Sequence, residues 1–150
     1  MEQALSATME RRTMQSETNG ISKGALWAGR ILGGFAVLFL VMDGAMKSMK
    51  LALVVEATTK LGYPESTIAG IGVTLLACTL IYVIPRTSFL GAILLTGYLG
   101  GAVATNVRAG TGWFNTLFPV GMASLAWISL WLRDYRVREL TPLVSRTHPL

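Results

Sequence analysis

Six polar residues stand where chemistry in an apolar chain would need them: Asp43 and Lys47 in VMDGAMK, Arg108 and Asn106 at the end of GYLGGAVATNVR, Arg30 in WAGRILGG, and Arg86 in IPRTS. A carboxylate and three kinds of donor could bind a polar headgroup, share a proton or neutralise one another. An ionisable group within a membrane segment faces protein or a water-filled cavity far more often than lipid, because hydrocarbon penalises the charge. On helix one, alternating steps of four and three residues run through Gly29, Gly33, Ala36, Leu40, Asp43 and Lys47, so Asp43 continues a stripe of small residues of the kind that lets helix backbones approach. The same spacing gathers Gly97, Gly101, Ala104 and Arg108 on helix three, with Gly100 beside them. Both helices run the same way and place Asp43 and Arg108 at similar depth. Two arrangements compete: an interior Asp43–Arg108 ion pair, with or without Lys47 as a third member, and an i, i+4 Asp43–Lys47 pair in the headgroup region. The preference of intramembrane carboxylates for protein surroundings favours the first. Arg30 divides between snorkelling to headgroups and joining Arg86 in an inner site. Tyr82, Tyr98, Thr105 and Asn106 add hydrogen-bonding groups whose commoner role is packing.

The elements that must position these groups follow from composition. The chain has 150 residues, 52% apolar and 14% charged, with a mean hydropathy of +0.52. That composition describes a membrane protein. Four apolar stretches, about residues 25–46, 66–84, 87–107 and 114–132, each approach the roughly 20 residues a helix needs to cross the hydrocarbon. Alternating strand-like segments are absent, so the fold class is all-α: a membrane four-helix up-down bundle in the lipid bilayer. Between helices one and two, Leu51, Val54, Val55, Thr58 and Leu61 recur at helical spacing and predict a short amphipathic helix, ended by Gly62 and followed by Pro64 at the start of the next. The IPRTS connection is short enough to make its two helices antiparallel neighbours, with Thr87 or Ser88 as a helix cap.

Residues 1–23 read as a disordered cytoplasmic tail, residues 24–138 as the transmembrane domain, and residues 139–150 as a second cytoplasmic tail. Arg11, Arg12, Lys23, Arg86, Arg133, Arg136, Arg138 and Arg146 outnumber Lys47, Lys50, Lys60 and Arg108 on the other side. The positive-inside rule then puts both termini in the cytoplasm of a multi-pass cell-membrane protein. The net charge of +5 is accounted for by this topology and implies no nucleic acid.

Several chemistries lack their residues. Cys78 is the single cysteine and His148 the single histidine, which excludes an intramolecular disulfide, a C-x-x-C redox pair, a thiolate metal cluster and bis-histidine haem. No metal site, catalytic triad or phosphate loop is legible, and an enzyme acting on its own is hard to build from what remains.

GRILGG, MDGAMK, KLGYPES and LACTLIYVIPRTSFLGAILLTGYLGGAVATNVR together resemble the DoxX-like family of small, usually bacterial, four-helix membrane proteins, related to DoxX and DoxD proteins of membrane thiosulfate and quinone oxidoreduction. The resemblance covers about residues 24–138. It implies an accessory component of a quinone-linked redox system, with quinone as ligand and a membrane redox protein as partner. Arg30, Asp43, Lys47, Pro85, Arg86 and Arg108 match positions typical of that family. Leu75 and Asn106 depart from a glutamate and a histidine that relatives carry, so the resemblance supports fold better than catalysis. A non-catalytic structural or interaction module is the alternative, and the glycine-rich faces suit a homo-oligomer as well as internal packing.

Overall fold

A computed structural model describes residues 23–134 and 137. The tails expected over 1–23 and 139–150 lie outside the described residues, apart from Lys23, which begins the first helix. Among the described residues five helices follow in order: α1 Lys23–Ser48, α2 Ala52–Lys60, α3 Glu65–Val83, α4 Ser88–Ala109 and α5 Trp113–Arg133. All but α2 are long and apolar enough to cross a membrane. At 1.5 Å per residue, even the 19-residue α3 reaches about 28 Å.

α1 packs on α3 and α5, and α4 packs on the same two helices, so the ring order is α1, α3, α4, α5 with α1 diagonal to α4. Contacts between opposite helix ends make each neighbouring pair antiparallel: Gly29 of α1 meets Ser129 and Leu132 of α5, and Gly44 meets Gly72 and Leu76 of α3. The expected up-down bundle is what forms.

The outside of this ring is apolar. Trp27, Ile31, Phe35 and Leu38 of α1 are each at least 60% exposed. Only 22% to 33% of each span's most apolar window is buried. A water-soluble bundle would hide that surface, whereas lipid solvates it without cost. The chain is a multi-pass membrane protein.

With little hydrophobic drive between helices in lipid, close backbone approach supplies the packing. The buried face of α1 is Gly29, Gly33, Ala36, Leu40 and Gly44. A methyl group on Gly72 would sit 2.6 Å from the Ser48 amide nitrogen and 2.7 Å from the Gly44 carbonyl oxygen, which fixes the α1–α3 crossing. At the α3–α4 turn, Gly91 lies directly on the Tyr82 backbone. Thr87 stands at the N-cap of α4, as one of the two candidates expected, but makes no side-chain capping bond: its Oγ1 donates to the Ile81 carbonyl at 2.8 Å, and Ser88 Oγ donates to the Pro85 carbonyl at 3.2 Å. The Thr87 hydroxyl serves the end of α3, where a helix leaves carbonyls without partners, and the Ser88 hydroxyl closes the turn that follows it.

The core is concentrated toward the bundle end where α1 begins at Lys23 and α5 ends at Arg133. Tyr82, Leu75, Leu95, Leu130, Ala36, Ala92 and Ala126 are almost completely buried, with Cys78 among them as a small hydrophobe. The Tyr82 hydroxyl donates to the Ala126 carbonyl at 2.9 Å and to Ser129 Oγ at 3.3 Å, while Ser129 Oγ donates to the Gly29 carbonyl at 2.8 Å. The Arg133 guanidinium lies 5.0 Å from the centre of the Tyr82 ring, a cation–π contact that closes this end. Three helices are thereby joined around one tyrosine.

Candidate functional site

The opposite half of the bundle is hollow. A cavity of about 830 Å³ lies there, within the range of small-molecule sites. Its walls come from α1 (Phe39, Leu40), α4 (Gly97, Tyr98, Gly101) and α5 (Phe114, Phe118, Met122). α2 roofs it with Ala57, Thr58 and Leu61.

The hollow has a sequence cause. Gly97 and Gly101 lie one turn apart on α4, and no heavy atom lies within 4 Å of where a side chain would begin on either. Their small size therefore makes space instead of bringing a neighbouring helix closer. Within the chain, Gly97 and Gly101 therefore do not serve internal backbone packing, one of the two roles open to this face; the diagonal placement of α4 across from α1 keeps those two helices apart. On α5, Phe118 meets Phe39 edge-to-face with ring centres 5.1 Å apart, forming an aromatic wall. Pro119, buried beside it, lacks the N–H that would bond the Asn115 carbonyl.

Polar groups collect near the α2 roof. Asp43 Oδ2 pairs with Lys47 Nζ, and both residues line the cavity, their side chains 31% and 19% exposed. The interior Asp43–Arg108 pair is not formed. Arg108, in the last turn of α4, instead donates through Nη2 to the Leu61 carbonyl at 3.1 Å, satisfying an orphan acceptor at the end of α2. Asp43 thus occupies an interior position, as expected, yet takes the i, i+4 partner of the competing arrangement. One turn of helix supplies a cation closer than any neighbouring helix does.

Asn106 also lines the cavity, with Nδ2 donating to the Ala102 carbonyl at 2.9 Å and Oδ1 accepting from Thr111 Oγ1 at 2.7 Å. It is occupied in holding the α4–α5 turn. Tyr63 and Thr105 share a hydroxyl hydrogen bond of 2.9 Å that ties the α2–α3 loop to α4. Tyr98 is half-buried on the cavity wall, and its hydroxyl makes no hydrogen bond with the described residues. That leaves it available to a ligand.

Arg30 and Arg86 stand apart from this cavity, exposed near the termini-bearing end and without an ion-pair partner among the described residues. Leu75 is fully buried in the core. No group of three acidic, histidine or cysteine side chains is placed to hold a metal among the described residues.

Sequence reasoning named Asp43, Lys47 and Asn106 but missed the aromatic wall and the roof contacts. Phe114 and Phe118, one turn apart, were the available signal; Tyr63 carried none.

α2 is joined to the spans through residues of positive φ, Lys50 at 50° and Gly62 at 89°. A salt bridge of 3.8 Å from Lys50 to Glu65 also links its two ends. At the cavity rim the exposed Lys60 bonds Glu56 at 2.7 Å and holds that carboxyl below its ordinary pKa.

Comparison with known proteins gives one family: residues 31–129 match the model described as the DoxX-like family. No curated protein and no solved structure matches the chain.

Proposed function

Since the chain belongs to the DoxX-like family, matched over residues 31–129, we propose that it is a ligand-holding membrane subunit whose cavity takes a lipophilic ring compound of the quinone class and presents it to an electron-carrying partner protein. One observation carries this reading: an aromatic-walled cavity of about 830 Å³ whose polar groups, Asp43, Lys47 and Tyr98, offer few and specific contacts. Such a site suits a flat apolar ring with carbonyl or hydroxyl substituents. The Tyr98 hydroxyl and the unused ammonium hydrogens of Lys47 can donate to a quinone carbonyl, and Asp43 can accept from a quinol hydroxyl. Redox centres then belong to the partner, because these residues bind and orient a ligand without carrying electrons themselves.

The distribution of basic residues supports a topology with both termini in the cytoplasm, in which the cavity and its α2 roof would face the outer leaflet. The test is purification in a mild nonionic detergent followed by mass spectrometry of extracted lipids and co-purified proteins. A near-stoichiometric quinone that is lost from a variant with the cavity filled supports the reading. Recovery of a partner protein without any lipophilic ligand favours the interaction module instead.

A further inference from the structure

We infer that the Asp43–Lys47 pair makes this cavity selective for amphiphiles with uncharged heads, excluding fatty acids and other anionic amphiphiles. The inference rests on reading the cavity as a lipophilic ligand site and adds which lipophilic molecules it admits.

A bilayer offers such a cavity many anionic competitors. An unpaired ammonium in an apolar pocket would capture them, because charge-assisted hydrogen bonds are about twice as strong as neutral ones and burial raises the cost of leaving the cation unpaired. The two ammonium groups bordering the cavity, Lys47 and Lys60, are both held by carboxylates: Lys47 by Asp43, and Lys60 by Glu56 at 2.7 Å. Arg108 is turned to the Leu61 carbonyl and is not on the wall. An entering carboxylate would therefore meet a cation already neutralised and would be repelled by Asp43 beside it. The remaining polar wall is uncharged: Thr105 and Asn106 are engaged, and the Tyr98 hydroxyl is free to donate to a carbonyl. Asp43 is thus a specificity residue for the headgroup. It does so by pairing Lys47, so removing its charge should convert the site to an anion binder.

The test uses the full chain in nanodiscs of uncharged lipid, titrated with a benzoquinone bearing a ten-carbon tail and, separately, with dodecanoate. The natural protein should bind the quinone about tenfold or more tightly than the fatty acid. Asp43→Asn should raise dodecanoate affinity by about tenfold and so erase the preference for the quinone, and Asp43→Asn with Lys47→Gln should abolish the gain in dodecanoate binding. Equal affinities in the natural protein overturn the selectivity and leave the lipophilic site standing; binding of neither probe removes both. Selectivity that survives Asp43→Asn without any gain in dodecanoate binding also overturns the inference. The first comparison needs no variant, so equal affinities would overturn the inference even if Asp43→Asn fails to fold.

Discussion

Replacing both Gly97 and Gly101 with leucine should stabilise the protein and abolish ligand binding together, a combination that depends on the hollow being real. Glycine inside a helix costs about 0.8–1.0 kcal/mol relative to alanine, and leucine is nearly as good a helix former as alanine. Two replacements therefore gain about 1.5 kcal/mol from the helix alone. Nothing within 4 Å of either position opposes the first carbon of the new side chain, and both residues face the cavity. The added leucines would project into the cavity that Phe39 and Phe118 also line and reduce its volume. Gly91→Ala is the control of opposite sign: its methyl would overlap the Tyr82 backbone, and forcing α3 and α4 apart costs about 1–3 kcal/mol. Thermal unfolding in one detergent, with quinone titration on the same samples, reads both effects. A destabilised double-leucine variant would refute the open space. Unchanged quinone affinity would refute the cavity as the binding site.

Lys47→Met should destabilise by about 2 kcal/mol, between surface and buried values because the partner carboxylate is 31% exposed. Asp43→Asn with Lys47→Met should recover most of that loss in the same unfolding assay. Exchanging the charges within one helix, Asp43→Lys with Lys47→Asp, should restore the stability lost in Asp43→Lys, whereas Asp43→Lys with Arg108→Asp should not, since Arg108 is committed to Leu61. Tyr82→Phe should cost about 1 kcal/mol of global stability, read by denaturant titration, because its buried hydroxyl is lost to Ala126 and Ser129. Tyr63→Phe should speed amide hydrogen exchange in α2 with little effect on global unfolding, because it frees only the roof.

The spans were legible to within two residues at each end because length and hydropathy govern a helix that must cross hydrocarbon. α2 was legible as well: Val54, Val55, Thr58 and Leu61 turn inward as their spacing required, whereas Leu51, ahead of the first turn, stays exposed. Asp43 was rightly placed toward the interior for the same energetic reason. Which partner it takes was not legible, because equal depth along two helices says nothing about the distance between them. In the ring order α1, α3, α4, α5, helix α4 is diagonal to α1, and that placement alone sends Arg108 to the roof and leaves Asp43 with Lys47.

The glycines show the division most sharply. By itself the sequence determined that this is a four-span helical membrane protein with small-residue faces and one interior carboxylate, since those properties follow from local composition and period. Only the tertiary structure decided that Gly29, Gly33, Gly44 and Gly72 bring backbones together while Gly97 and Gly101 open a cavity. A missing side chain permits either close contact or empty space, and the position of the facing helix chooses between them.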